Sequence, residues 1–138
     1  MAEEIHIPPH SDEAEACVLG SILINKDAIV TVAEFLRPEH FYKEANQLIY
    51  KAIVQLYEER EPIDIITLKQ RLKKDKSLAK IGGSTYLTSL VNAVPTAAHV
   101  EQYGRMVKDD YTKRELISAA SQIAESAFDE SGEDSRLG

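Results

Sequence analysis

The side chains able to do chemistry in this chain are few, and their spacing suits none of the common active sites. His6, His10, His40 and His99 lie far apart, with neither an HExxH pair nor the close grouping a metal ion needs. A single cysteine, Cys17, cannot build a zinc site. No GxxxxGK[ST] occurs, and the glycines at 20, 82, 83, 104 and 132 never fall into GxGxxG, so no phosphate cradle is encoded. Serine, histidine and aspartate are present, but a triad is a matter of geometry, and no GxSxG turn is found. Glu58-Glu59 and Asp109-Asp110 pair carboxylates, yet neighbours in a helical sequence do not face each other, which makes these pairs solvated surface. Cys17 falls on an apolar helix face, where burial keeps a thiol protonated and inert. The residues point to a binding module with no catalytic residue, metal or cofactor of its own.

The bulk composition agrees. A chain of 138 residues makes one domain by default and hides about 68% of its unfolded surface on folding. Its 43% hydrophobic and 28% charged residues are ordinary for a globular protein. No window reaches the roughly 18 apolar residues of a spanning helix, and MAEEIHIPPH lacks the basic and apolar regions of an export signal. A cytoplasmic location without membrane contact is expected. Sixteen basic against 23 acidic residues give a formal charge of −7, which repels a phosphate backbone unless basic residues gather locally. One such gathering exists in LKQRLKKDKSLAK, residues 68–80, where Lys69, Arg71, Lys73 and Lys74 are followed by Lys76 and Lys80. It suits either contact with single-stranded DNA or the macrodipole at a helix C-terminus.

The elements that hold these residues read as helices throughout. Asp12 with Glu15 forms a capping-box pattern before the apolar set Ala14, Cys17, Val18, Leu19, Ile22 and Leu23, and Asn25 suits a left-handed C-terminal position. Gly20 suggests a close helix contact. A short helix is expected over residues 26–35, stopped by Arg37-Pro38. A third, the plainest of all, carries Ala45, Leu48, Ile49, Ala52, Ile53, Leu56 and Tyr57 at spacings of three and four. After Pro62, Thr67 with Gln70 can cap a fourth helix bearing Leu68 and Leu72, although IDII could instead pair as a short strand. Gly82-Gly83 makes a corner, and Ser84 opens a fifth helix with Tyr86, Leu87, Leu90 and Val91. The class is all-α: a tail over residues 1–10, a head of about five helices over 11–96, a long helix over 97–128 and a flexible end over 129–138.

The long stretch is the informative one. Helical over 32 residues, it would reach about 48 Å, more than a globule of this size is wide. Val100, Tyr103, Val107 and Tyr111 form a stripe that can pack on the head. Beyond the polar KDDYTKRE lies a second stripe of Leu116, Ile117, Ala120, Ile123, Ala124, Ala127 and Phe128, and DESGEDSRLG after it offers only Leu137 as a large apolar cover. Either the chain folds back at Thr112, which forms a capping pattern with Glu115, or the helix continues and its partner lies elsewhere.

PPHSDEAEACVLGSIL resembles the PPxxxEAExxVLGxxL start of the N-terminal domain of bacterial replicative hexameric DNA helicases, the DnaB family. LRPEHFYKEANQLIYKAI, EPIDIITL, IGGSTYL and AVPTAAHVEQYGRMV are similar to further blocks of that domain, in order over residues 7–128. His99 departs from the usual asparagine, and the family's acidic second hairpin helix is not recognisable after Phe128. The resemblance implies a helical hairpin whose returning arm, linker and ATPase domain, with its ATP and magnesium, are absent from this fragment. It implies a two-tiered collar, a trimer of dimers, that shapes the hexamer and docks the C-terminal helical domain of primase, with a helicase loader as a further partner. Glu13, Tyr86, Arg114, Ile117 and Ile123 are then candidate primase contacts. Leu116, Ala120, Ala124 and Phe128 are candidates for packing within the hairpin or between subunits.

Overall fold

The computed structural model describes residues 7–129, which form six α-helices and two short 3₁₀ turns; among the described residues there is no strand. The expected all-α class holds. In chain order the helices are α1 (Asp12–Ile24), α2 (Ala28–Ala33), α3 (Glu44–Glu58), α4 (Ile65–Lys74), α5 (Gly83–Asn92) and α6 (Val100–Phe128). The 3₁₀ turns are Pro38–His40, before α3, and Ala97–His99, before α6. Residues 1–6 and 130–138, including most of the expected tail and flexible end, lie outside the described residues.

The helix α1 is buried on nearly every side, because α3, α5 and α6 all pack on it. Cys17, Val18, Leu19 and Ile22 enter the core with Ile49, Tyr50 and Ile53 of α3, Leu68 and Leu72 of α4, and Leu87 and Leu90 of α5. Gly20 is where α1 meets α5 most closely: a Cβ there would stand 2.1 Å from the Leu90 carbonyl oxygen. Cys17 is buried as expected, its Sγ 3.9 Å from the Ala93 carbonyl oxygen, and burial together with the charge of Glu13 raises its thiol pKa.

Several local expectations are corrected. The first helix is capped by Ser11, whose Oγ accepts the Ala14 N–H at 3.0 Å, and not by Asp12. A serine hydroxyl one residue earlier reaches the same orphan donors. Asn25 ends the helix in extended backbone (φ −137°), outside the left-handed region. The second helix keeps only Ala28–Ala33 of the ten residues expected. IDII is no strand, because Asp64 caps α4 by accepting the Thr67 N–H at 2.8 Å while Thr67 Oγ1 accepts the Asp64 N–H. Thr67 is thus the third residue of the box and not its first. At the corner, Gly82 and Gly83 have φ of +103° and +75°, where glycine carries no Cβ penalty.

The fold-back at Thr112 does not occur: α6 runs unbroken for 29 residues, about 44 Å at the ordinary rise. Its first half seats Val100 and Val107 in the core, with Gly104 admitting Phe35 and Val32 of the α2 segment. From Glu115 to Phe128 every residue is exposed except the half-buried Ser126.

Candidate protein-docking site

The carboxylate expected to close a capping box on α1 turns instead to another helix. Glu15 is 2% exposed. Its Oε2 accepts the Tyr42 N–H at 2.7 Å, and its Oε1 accepts the Lys43 N–H at 3.4 Å and the Asn46 amide N–H at 2.8 Å. The N-cap residue of α3, Lys43, offers no side-chain cap of its own. Glu15 therefore supplies the acceptor and the negative charge that this helix N-terminus favours. Asn46, 1% exposed, passes the bond on: its Oδ1 accepts the Tyr86 hydroxyl at 2.6 Å. Tyr86 is half-buried, with Lys43 Nζ 5.0 Å from its ring centroid. One relay thus ties α1, α3 and α5 together.

A second cluster forms where the chain before α1 crosses the middle of α6. Arg114 is half-buried, and its two terminal nitrogens donate to the Pro9 carbonyl oxygen at 2.8 Å and the His40 carbonyl oxygen at 2.9 Å. Its guanidinium stands 5.3 Å from the Tyr42 ring and 5.7 Å from the Tyr111 ring, within cation–π reach. His10 stacks on Tyr42 at 4.1 Å, and His40 meets Tyr111 at 4.7 Å. Next to this cluster, Ile7 and Pro8 face Arg114, Ile117 and Ser118 across a largely apolar cleft of about 240 Å³.

The two clusters meet at the Tyr42–Lys43 turn. Tyr42 gives its ring to the Arg114 cluster, Lys43 gives its ammonium to Tyr86, and both backbone N–H groups end on Glu15. Of the candidate contacts, Arg114 and Ile117 share the cleft, whereas Tyr86 belongs to the relay. Glu13 is exposed on the first turn of α1, and Ile123 is exposed on the distal half of α6. Leu116, Ala120, Ala124 and Phe128 are also exposed, Phe128 at 84%. Sequence reasoning missed Glu15, Tyr42, Lys43 and Asn46. Only the adjacency of Tyr42 and Lys43 to the start of α3 hinted at them, since the hydrogen bonds of the relay join residues 27 to 40 positions apart.

The basic stretch is less free than its composition suggested. Arg71 donates to both carboxylate oxygens of Glu59 and to Gln55 Oε1, which holds the Glu59 carboxyl below the usual carboxylate range and the guanidinium above its own. Lys69, Lys73 and Lys74 remain exposed. Among the described residues no group of three or more His, Cys, Asp or Glu side chains is placed to hold a metal ion, and no helix is long and apolar enough to cross a membrane.

Sequence and structure comparisons give the family. The model of the DnaB-like helicase N terminal domain matches residues 7–109. The replicative DNA helicase DnaB of Geobacillus stearothermophilus is 42% identical over 122 residues, covering 88% of this chain but only 27% of that protein. The crystal structure of the N-terminal domain of DnaB helicase from Mycobacterium tuberculosis superposes with a TM-score of 0.86 at 39% identity, over 88% of this chain and 87% of that one. A structure of the N-terminal domain of DnaB helicase from Helicobacter pylori, described together with its interactions with primase, gives 0.74 at 30% identity over 85% and 91%. With residues 7–109 matched by the family model and 88% of the chain superposed on a solved relative, the chain belongs to the DnaB-like helicase N-terminal domain family.

Proposed function

We propose that this chain is the collar domain of a replicative DNA helicase, a non-catalytic module that joins copies of the protein into a ring and docks primase. In a protein of the relatives' length, of which this chain spans about a quarter, the ATP- and magnesium-dependent motor and the main DNA contacts lie in the remaining sequence. The observation that carries this reading is the distal half of α6, where Leu116, Ile117, Ile123 and Phe128 are each more than half exposed. A helix of that kind is marginal in water and calls for protein cover. Leu116, Ala120, Ala124 and Phe128 supply the packing face toward another arm, since alanines let helix backbones approach. Glu13, Tyr86, Arg114, Ile117 and Ile123 supply the primase-facing contacts, and the H. pylori relative's interactions with primase support primase as the partner. A helicase loader is a further partner of the assembled ring.

The test is titration of the purified chain with the C-terminal helical domain of primase from the same organism, with solution mass measured in parallel. Saturable binding together with self-association at higher protein concentration is the expected result. A chain that stays monomeric and ignores primase at every concentration overturns it.

A further inference from the structure

The relay behind Tyr86 does more than anchor a ring, because each link fixes the polarity of the next. The Glu15 carboxylate offers only acceptor oxygens, and it already takes the Tyr42 and Lys43 N–H groups. Asn46 must therefore turn its amide nitrogen toward Glu15, at 2.8 Å; the opposite amide orientation would set oxygen against oxygen in a site 1 to 2% exposed. Its Oδ1 then faces Tyr86, and an amide oxygen only accepts. The single hydroxyl hydrogen of Tyr86 is committed to that bond at 2.6 Å. What the hydroxyl of the half-buried tyrosine has left to offer a further partner is lone pairs, and the Lys43 ammonium stands 5.0 Å from its ring centroid.

We propose that the Glu15–Asn46–Tyr86 relay makes the Tyr86 hydroxyl an obligate acceptor, so that the docked partner supplies a hydrogen-bond donor at this point. Glu15 and Asn46 are positioning residues, and Tyr86 is the contact. This inference rests on the reading of Tyr86 as part of the primase-facing surface. It adds the chemistry of the group that meets it: a backbone N–H, an amide or a hydroxyl donor, and not a carboxylate, which would bring one acceptor against another.

The experiment measures binding of the cognate primase C-terminal helical domain to the chain and to Tyr86→Phe, Tyr86→Ala, Glu15→Gln and the Glu15→Gln/Tyr86→Phe pair, with thermal unfolding of each as a check on fold. Glu15→Gln puts an amide where the carboxylate stood, which lets Asn46 turn over and release the tyrosine hydrogen outward. Tyr86→Phe and Glu15→Gln are each expected to weaken binding about fivefold to tenfold, the worth of one net hydrogen bond. In the Tyr86→Phe background Glu15→Gln is expected to add nothing, whereas a general loosening of the fold would weaken binding in both backgrounds. Multiplying losses in the double variant overturn the proposal, as does Tyr86→Phe binding like the parent while Tyr86→Ala binds weakly. If Tyr86→Ala also binds like the parent, the docking role of Tyr86 fails, and with it the proposal. Should Glu15→Gln not fold, the Tyr86→Phe variant decides alone.

Discussion

Removing the Glu15 carboxylate strands several donors at once: the Tyr42 N–H, the Lys43 N–H and the Asn46 amide all end on it in a site closed to water. Glu15→Ala is therefore expected to lower stability by about 3 kcal/mol in urea unfolding, toward the upper end for unsatisfied buried groups. His40 makes a different prediction. Its Nδ1 accepts the Arg37 N–H at 2.9 Å, a bond available only to an unprotonated nitrogen. Burial pushes its pKa below the ordinary histidine value; Glu39 opposes the shift, while Lys108, Arg37 and Arg114 assist it. The unfolded chain thus binds the proton more readily than the folded one. Stability is complete above the ordinary value of about 6.5 and is lost as pH falls through the lower folded value. The thermal midpoint should drop between neutral and acidic pH, and His40→Gln should make that drop shallower; an unchanged slope would place the acid sensitivity elsewhere.

Two glycines set how closely the helices approach, and they answer substitution differently. A Cβ on Gly20 meets the backbone oxygen of Leu90 at 2.1 Å, and backbone cannot turn aside. Gly20→Ala is expected to cost about 3 kcal/mol or to prevent folding. A Cβ on Gly104 meets only side-chain atoms of Phe35 and Val32 at 3.1 Å, and alanine gains about 1 kcal/mol of helix propensity there, so Gly104→Ala should stay within about 1 kcal/mol of the parent. Denaturant unfolding of both variants checks the contrast. The close contact at Gly20 was legible in the sequence because an isolated glycine inside an apolar helix asks for a reason. The helix α3 was equally legible, since Leu48, Ile49, Ala52, Ile53 and Leu56 repeat at helical spacing. Caps were legible only to within a residue or a few: Ser11 took the place of its neighbour Asp12, since either side chain can reach the same orphan N–H groups, and Thr67 closes the box that Asp64 opens, since both members of a capping box carry side-chain acceptors. Glu15 was misassigned for a deeper reason. Its spacing from Asp12 fits a local box, but its partners come from residues 42, 43 and 46, and no local pattern encodes a contact across that distance.

At the scale of the whole molecule, the head is closed and the rod is not. The first half of α6 shares its core with α1 and α2, while residues 115–128 carry Leu116, Ile117, Ile123 and Phe128 at 53 to 84% exposure. Each such side chain gains about 1.5 to 3 kcal/mol on full burial, so covering several of them outweighs the cost of bringing chains together only once protein concentration is high enough. Solution mass should therefore rise with concentration, and the Leu116→Glu/Phe128→Glu pair, on the face assigned to another arm, should keep the chain monomeric while the head unfolds at its usual temperature. Amide exchange locates the effect. In dilute protein the N–H groups of residues 115–128 should exchange far faster than those of α1, since nearly all of these residues are exposed where α1 is buried, and association should slow them selectively. Exchange in the distal half as slow as in α1, in a chain measured as a monomer, would mean that the rod needs no cover, and the case for a ring-forming arm would fall with it.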